Sequence, residues 1–252
     1  MSIAGPITRL FEKLGLRGAP TALRYLSKIT GPDRLTTVSL PSGEKLTFPA
    51  YDPYWCRYLY AGVAYEPDVE AILRKFSAER VLIDAGANIG YWSARAKGLG
   101  FSRAIAIEAN DEIVPILRRN FDGEVHHAAV FSKSGETLRF GGHGATGAIA
   151  DSGTSVQSLA LRDLDVSGPC LIKLDVEGAE IAAIEGSSGM DAIFVYEDWP
   201  RSGMPVTEYL LGRGFGVFGY DDTEIASHRD AFDFNELTND RYGPSNFYAV
   251  PK

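Results

Sequence analysis

Short apolar runs alternate with helical patterns along the chain from residue 81 onward. The runs predict strands at residues 81–84, 104–108, 125–130, 171–175, 193–197, 216–220 and 247–250. Apolar positions at helical spacing predict helices between most of them, at residues 89–98, 112–120, 179–185 and 206–212. Strands that alternate with helices form a mostly parallel sheet with helices on both faces. We therefore predict an α/β fold whose sites lie at the carboxyl ends of the strands.

The N-terminal quarter of the chain does not follow this alternation. Residues 35–65 predict a hairpin and then an aromatic segment, residues 51–60, ahead of a helix near Pro67. Residues 7–29 mix apolar and basic positions, which favours two short helices packed on the domain or on a second subunit of a homo-oligomer. A stretch that lies on a membrane surface is the alternative. We therefore separate an extension within the same domain, residues 1–64, from a core, residues 65–252.

A glycine-rich polar stretch, residues 141–155, lies between the third and fourth predicted strands. Its small polar residues indicate a segment too flexible for the core. A mobile loop over the rim of an active site and an uninvolved surface loop are both compatible with this composition.

The first predicted strand leads into a glycine turn, in the sequence VLIDAGANIG. The apolar run ends at Asp84, and the turn passes through Gly86, Asn88 and Gly90 into a predicted helix. Free backbone N–H groups at such a turn commonly face a cofactor. The second strand ends at Glu108, where a carboxylate can accept hydrogen bonds from both hydroxyls of a ribose.

The residues of this turn indicate which kind of nucleoside cofactor could bind there. A dinucleotide fingerprint needs glycine at the position of Asn88 so that the backbone can approach a pyrophosphate. The turn also contains no basic residue. S-adenosylmethionine, which has an adenosine end, no phosphate and an amino-acid tail, fits better, with Asp84 facing its cationic end. The alternative is a glycine turn that only packs the helix on the strand.

The fourth predicted strand carries a second acidic motif, LIKLDVEGAE. Asp175 stands at the strand tip, beside the first glycine turn, and Glu177 follows two positions later. A carboxylate there can take the proton of a hydroxyl nucleophile or hold a divalent metal ion. Asp175 and Glu177 are the candidate catalytic residues, although an acidic residue at Glu177 could also serve only the start of the next helix.

Composition narrows the classes of partner. The net charge of −8 argues against binding to nucleic-acid backbones, which requires Lys and Arg. Cys56 and Cys170 are far apart in the sequence and show no metal-binding spacing, so we expect reduced thiols. No apolar run is long enough to span a membrane and no export signal is recognisable, so we expect a soluble, cytoplasmic protein.

Several motifs together resemble one family. The segments YEPDVEAIL, VLIDAGANIG, IAIEAN, HHAAVFSKSGETLRF and LIKLDVEGAE, between residues 65 and 197, resemble the FkbM-type family of S-adenosylmethionine-dependent methyltransferases. The resemblance implies a seven-stranded Rossmann-like sheet of the class I methyltransferases, with the last strand antiparallel. It also implies methylation of hydroxyl groups on sugars, polyketides and other secondary metabolites. The N-terminal extension resembles no family, so the resemblance does not identify the acceptor.

The resemblance also implies roles for individual residues in cofactor binding. The glycine-turn residues would form the first cofactor motif, Glu108 and Ala109 would bind the ribose, and Tyr65 and Glu66 would close over the methionine part. The third strand would flank the adenine. Its residues there are Ala129, Val130 and Phe131.

The fifth predicted strand ends in a further acidic pair. Its sequence FVYEDW brings Glu197 and Asp198 close to Asp175 if the fourth and fifth strands are neighbours. This arrangement looks like the acidic trio of metal-dependent sugar O-methyltransferases from macrolide pathways, which holds magnesium. Three oxygen ligands suit Mg²⁺. Adjacent residues of an extended strand point in opposite directions, however, so Asp198 could miss the site.

The sequence therefore favours an S-adenosylmethionine-dependent O-methyltransferase that acts on a hydroxyl of a saccharide or natural product. Methylation of a nitrogen or a carboxylate on a small molecule is an alternative. A non-catalytic subunit that binds S-adenosylmethionine is another.

Overall fold

A computed structural model describes residues 4–14, 21–23, 25–26, 34–141, 147–199, 203–238 and 245–252. The helices are α1 (Ala4–Lys13), α2 (Pro53–Leu59), α3 (Pro67–Phe76), α4 (Tyr91–Leu99), α5 (Val114–Asn120), α6 (Glu180–Gly186), α7 (Pro205–Gly212) and α8 (His228–Thr238). The strands up to the small sheet are β1 (Leu35–Ser39), β2 (Lys45–Pro49), β3 (Val81–Ala85), β4 (Arg103–Glu108), β5 (Glu124–His127), β6 (Ala129–Val130), β7 (Thr137–Gly141), β8 (Ala148–Ile149) and β9 (Thr154–Leu159). The remaining strands are β10 (Cys170–Leu174), β11 (Ala192–Asp198), β12 (Phe215–Gly219), β13 (Glu224–Ile225) and β14 (Ser245–Pro251).

The central sheet has the strand order β13-β12-β14-β11-β10-β3-β4-β5. Strands β11, β10, β3, β4 and β5 are parallel, and β14 runs antiparallel to its neighbours β11 and β12. The predicted α/β fold, with its mostly parallel sheet and antiparallel last strand, is therefore confirmed. The short edge strand β13 adds an eighth member to the seven that the resemblance implies.

The alternation of side chains along the strands separates two hydrophobic layers. Leu82 and Leu171 face a cluster that also contains Trp55 of α2, Ile72 of α3 and Trp92 of α4. The residues that follow them in sequence point to the opposite face, where they meet α6, α7 and α8. Helices thus cover both faces of the sheet, as predicted. The hairpin and α2 share the first cluster, so the N-terminal extension packs on the core of the sheet.

The predicted third strand, residues 125–130, is wrong as a single element. β5 pairs with β4 only as far as His127, the partner of Glu108. The N–H of Ala128 donates to the Glu108 carbonyl at 3.0 Å. Because β4 ends there, the chain beyond it finds no partner in the central sheet. It continues as β6, which pairs with β9 in a small sheet of order β6-β9-β7-β8.

The glycine-rich stretch is only partly a loop. Residues 142–146 lie outside the described residues, but the residues on either side contribute to β7, β8 and β9. Strand β7 pairs antiparallel with both β8 and β9. The described part of the stretch is thus held by strand pairing, which the small polar side chains did not indicate.

The predictions before residue 81 agree with the structure where it is described. The hairpin is β1–β2, the aromatic segment folds as α2, and the helix near Pro67 is α3. Asp52 caps α2 by accepting the N–H of Trp55 at 3.0 Å. Helix α1 is the first of the two predicted short helices, and of the second the described residues 21–23 and 25–26 are helical.

The order in which the chain adds strands to the sheet reverses between β3 and β10. From this point the chain builds β4 and β5 on one side and β11 on the other. The N–H of Asp175 donates to the Ala85 carbonyl at 3.0 Å, which holds the loop after β10 against the first turn. Gly86 has φ +80°, and a Cβ there would lie 1.8 Å from the Asp175 carbonyl oxygen. Only glycine permits this approach, and a ligand crevice is expected where the topology switches.

Within the described parts of the chain, no helix combines the length and the apolar character that crossing a membrane requires.

Candidate functional site

A cleft opens at the carboxyl ends of the central strands, beside the Gly86 turn. Most of the residues that the sequence predicted for the site line this cleft. They are Tyr65, Glu66, Gly86, Asn88, Glu108, Ala109, Ala129, Val130, Asp175, Glu177 and Glu197. The predicted residues Asp84, Gly90, Phe131 and Asp198 do not line it.

Glu108, at the end of β4, is held by backbone donors. The N–H of Asn88 donates to its Oε2 and the N–H of Asn110 to its Oε1, both at 2.7 Å. The side chain is buried, and burial raises the pKa of Glu108 against the opposing effect of these hydrogen bonds. The carboxylate is thus fixed in one orientation at the cleft, where its remaining lone pairs can accept hydrogen bonds from hydroxyl groups.

Asn88 joins the glycine turn to the aromatic helix α2. Its Oδ1 accepts the indole N–H of Trp55 at 3.1 Å and the N–H of Ile89 at 2.8 Å. Its backbone has φ +49°, in the left-handed region that few residues other than glycine adopt. Glu66 and Glu177, with φ +41° and +48°, share this conformation and also line the cleft. Strained backbone of this kind gathers at functional sites.

Asp84 and Gly90 do not face the cleft but position helix α4 next to it. Asp84 is 1% exposed, and its Oδ2 accepts the N–H of Ser93 at 3.0 Å near the start of α4. Its Oδ1 has no hydrogen-bond partner among the described residues, and burial raises the pKa of the carboxyl group. Gly90 allows α4 to pack closely, because a Cβ there would lie 2.6 Å from Leu117 Cδ1.

Phe131 is the third predicted residue that supports the cleft rather than lining it. Its N–H donates to the Leu159 carbonyl at 3.0 Å, which extends the pairing of β6 with β9. The two preceding residues, Ala129 and Val130, supply the apolar surface that β6 presents to the cleft.

Lys173 is a cleft residue that the sequence reasoning missed. It is 5% exposed, and its Nζ lies 3.0 Å from Oδ2 of Asp175. Burial alone lowers the pKa of Lys173, but the carboxylates of Asp175 and Glu66 outweigh this effect and raise it above the usual value. Alternation along β10 could have revealed the residue, because Lys173 and Asp175 lie on the same face of the strand.

Three further carboxyl groups face the cleft around this pair. Glu66 accepts the indole N–H of Trp92 at 3.0 Å, and burial raises the pKa of Glu66. Burial, reinforced by the negative charge of Asp175, also raises the pKa of Glu177. The same causes raise the pKa of Glu197 to about 8. A carboxyl group whose pKa is raised toward neutral pH is suited to exchange a proton with a reacting group.

The predicted acidic trio does not form, because Asp198 points away from the cleft. Its carboxylate accepts the N–H of Trp199 at 3.0 Å and the N–H of Thr207 at 2.8 Å, near the start of α7. Adjacent residues of β11 point to opposite faces, so Glu197 reaches the cleft and Asp198 does not. Among the residues that the structure describes, no group of three or more His, Cys, Asp or Glu side chains is arranged to hold a metal ion.

Two walls of the cleft come from outside the central sheet. Helix α2 contributes Tyr54 and Trp55, and the hydroxyl of Tyr54 donates to that of Tyr65 at 3.2 Å. The small sheet contributes Phe140 and Ile149. The aromatic segment and the glycine-rich stretch therefore both reach the cleft, which favours the first of the two interpretations of the stretch.

The cleft residues fit the cofactor that the sequence predicted. Glu108 offers a carboxylate to ribose hydroxyls, and the neighbouring surface of Ala109, Ala128 and Val130 is apolar, as a flat base requires. Lys173, the basic residue among those lining the cleft, is already paired with Asp175, which makes the site a poor match for phosphates. An adenosine with a cationic tail suits this set of groups.

The two cysteines have no part in the cleft. Both are free and buried. Burial raises the pKa of Cys56 to about 12 and that of Cys170 to about 11.

No family model and no curated protein matches this chain. Among solved structures, it is similar to a TehB-like SAM-dependent methyltransferase from Corynebacterium glutamicum, with 12% identity, a TM-score of 0.46 and coverage of 79% of this chain and 95% of that one. It is also similar to a ribosomal protein L11 methylase from Lactobacillus delbrueckii, with 12% identity, a TM-score of 0.43 and coverage of 73% and 77%. A third is magnesium protoporphyrin IX methyltransferase from Synechocystis with bound SAM, with 10% identity, a TM-score of 0.41 and coverage of 74% and 76%.

Proposed function

We propose that the protein is an S-adenosylmethionine-dependent methyltransferase that methylates a hydroxyl group of a saccharide or natural product. The observation that carries this proposal is Glu108, fixed by two backbone N–H groups at the end of β4 and facing a cleft at the topological switch point. The motif resemblance between residues 65 and 197 supports the same function, and membership of the FkbM-type family is part of the proposal.

The residues of the chain would divide the work of binding. Glu108 accepts the ribose hydroxyls, and the apolar surface of Ala129 and Val130 lies against the base. Tyr65 and Glu66 bind the amino-acid part beyond them. When bound, S-adenosylmethionine supplies an electrophilic methyl group on a cationic sulfur, and the acidic side of the cleft suits that charge.

A hydroxyl group is the acceptor that the cleft favours. Asp175, Glu177 and Glu197 bring carboxyl groups to the wall where an acceptor enters, and Lys173, the basic side chain among the residues that line the cleft, is already paired with Asp175. A carboxylate acceptor would therefore find no partner of opposite charge there. A neutral hydroxyl has no such penalty, and a nearby carboxylate can take its proton. The rings of Tyr54 and Trp55 offer flat apolar faces against which a sugar ring can pack.

Calorimetric titration tests the cofactor part of the proposal. We expect S-adenosylmethionine and S-adenosylhomocysteine to bind and NAD not to bind. Glu108→Ala should weaken S-adenosylhomocysteine binding by about 1–3 kcal/mol, because the buried hydroxyls lose a partner. Glu112→Ala, which removes an exposed carboxylate after the same strand, is the matched control and should leave the affinity unchanged. Binding of NAD, or equal effects of the two variants, would refute the assignment.

Transfer of a labelled methyl group tests the reaction itself. Neutral sugars and polyhydroxylated natural products should be methylated, whereas matched uronic acids should react more slowly because of their charge. Product that releases its label on mild alkaline hydrolysis would be a methyl ester and would contradict hydroxyl methylation. Cofactor binding without transfer to any acceptor would favour the non-catalytic alternative.

A further inference from the structure

The acidic side of the cleft contains a buried ammonium group among its carboxylates. Lys173 is paired across the sheet with Asp84 of β3 and with Val195 of β11. Asp175 and Glu197 lie two positions further along their strands, so alternation brings them to the same face as Lys173. Lys173 therefore has acidic neighbours on its own strand and on the strands at both sides.

The contacts show that this ammonium is held rather than solvated. Lys173 is 5% exposed, its Nζ is 3.0 Å from Asp175 Oδ2, and the charge of Glu66, at the start of α3, also acts on it. An unpaired charge at such depth would be very unfavourable, and so would several carboxylates without a cation. The Lys173 ammonium and the surrounding carboxylates thus require one another.

We propose that Lys173 takes the place of a divalent cation at the carboxyl end of β10, where it orders Asp175 and keeps Mg²⁺ out of the cleft. The inference concerns the cleft of the proposed function, yet it does not require methyl transfer to be the reaction. A Lys side chain and a metal ion compete for the same oxygen atoms, and the covalently attached cation is always present at the site. Lys173 is thus a positioning residue that acts through Asp175.

Removal of the ammonium should free Asp175 to bind a cation together with a neighbouring carboxyl group, although no three acidic side chains of the described residues are placed to hold one in the wild-type protein. Wild-type protein should not bind Mn²⁺, used as a spectroscopic substitute for Mg²⁺, whereas Lys173→Met should bind it at least about tenfold more tightly. Lys75→Met removes a lysine that is paired with Asp222 outside the cleft, and it should behave as wild type. Electron paramagnetic resonance of free Mn²⁺ reports the binding, and the double variant Lys173→Met/Glu197→Gln should lose the gained site.

The outcomes separate this inference from the proposed function. Mn²⁺ binding by wild-type protein that Glu197→Gln removes would overturn the inference, and so would a folded Lys173→Met variant without a new site. If Lys173→Met folds only when Mn²⁺ is added, the inference is supported. If it does not fold in either condition, the wild-type measurement decides. S-adenosylhomocysteine binding by the wild type, measured in parallel, tests the proposed function alone.

Discussion

At the scale of single residues, the cleft depends on positions where the backbone conformation or the space around it suits few residue types. Gly86 lets two loops meet where the sheet changes direction, and Asn88, Glu66 and Glu177 adopt left-handed conformations around the same space. The glycines and the acidic strand ends could be predicted from the sequence because they follow apolar runs directly. The left-handed conformations at Glu66 and Glu177 could not, since neither residue type indicates that conformation.

Gly86→Ala should destabilise the protein far more than a second substitution of the same kind. The new methyl group would meet the Asp175 carbonyl, so we expect a loss of roughly 3 kcal/mol or more in the free energy of unfolding. Gly168 also has positive φ, but a Cβ there would meet no atom within 4 Å. Gly168→Ala should cost only the backbone strain, about 1–2 kcal/mol. Urea denaturation measures both, and equal losses would contradict the steric explanation.

The two buried thiols should be unreactive in the folded protein at pH 8. With pKa values raised to about 12 for Cys56 and about 11 for Cys170, both stay protonated there. Two units of pKa reduce the thiolate fraction about a hundredfold. Reaction with Ellman's reagent should therefore be slow in buffer and fast in guanidinium chloride. Rapid reaction of the native protein would show that one of the thiols is accessible and ionised.

At the scale of elements, the sequence predicted the parts that alternate regularly and missed those that depend on distant pairing. The strands and helices of the core were predicted within a few residues, because each has a continuous hydrophobic pattern. The small sheet was missed, since β6 leaves the central sheet only where β4 ends and β7–β9 are short, with few apolar residues. Lys173 was missed because it lies within an otherwise apolar run, although its position two residues before Asp175 indicates the same face of the strand. Helix α8 was not predicted, and its sequence mixes apolar and acidic residues.

The choice of acceptor should depend on the small sheet rather than on the strand tips. Shortening the chain between Gly141 and Gly147 should raise the acceptor KM or lower kcat, because Phe140 and Ile149 line the cleft on either side of this segment. The affinity for S-adenosylhomocysteine should change by only about a few tenths of a kcal/mol, since Glu108 is untouched. Steady-state kinetics and calorimetry separate the two effects. Full activity, or selective loss of cofactor binding, would refute this division.

At the scale of the whole molecule, β14 joins the five parallel strands of the central sheet to β12 and β13. This strand lies between β11 and β12, and the core residues Phe247 and Ala249 are fully buried on it. Asn246, also on β14, lines the cleft and donates to Asp68 of α3 at 2.8 Å. The same strand therefore contributes to the core and to the candidate site.

Removal of residues 245–252 should abolish folding. Truncation of one buried phenylalanine to alanine typically costs about 3–5 kcal/mol, and loss of the strand adds unpaired edges on β11 and β12. Phe247→Ala should thus lower the free energy of unfolding by about this amount without abolishing the fold. Removal of Lys252 alone, which is exposed, is the control and should have little effect. Circular dichroism and size-exclusion chromatography test this, and a folded truncated protein would contradict it.

The position of β14 also determines when the central sheet can be completed during synthesis on the ribosome. The strands on both sides of it, β11 and β12, precede it in the chain and leave the exit tunnel first. Until β14 emerges, each of them has one edge without its partner, and the cleft lacks Asn246. A chain whose synthesis stops before this strand would have open strand edges, which chaperones and proteases can recognise. A closed sheet and a complete cleft should therefore be acquired together, when β14 pairs with both strands.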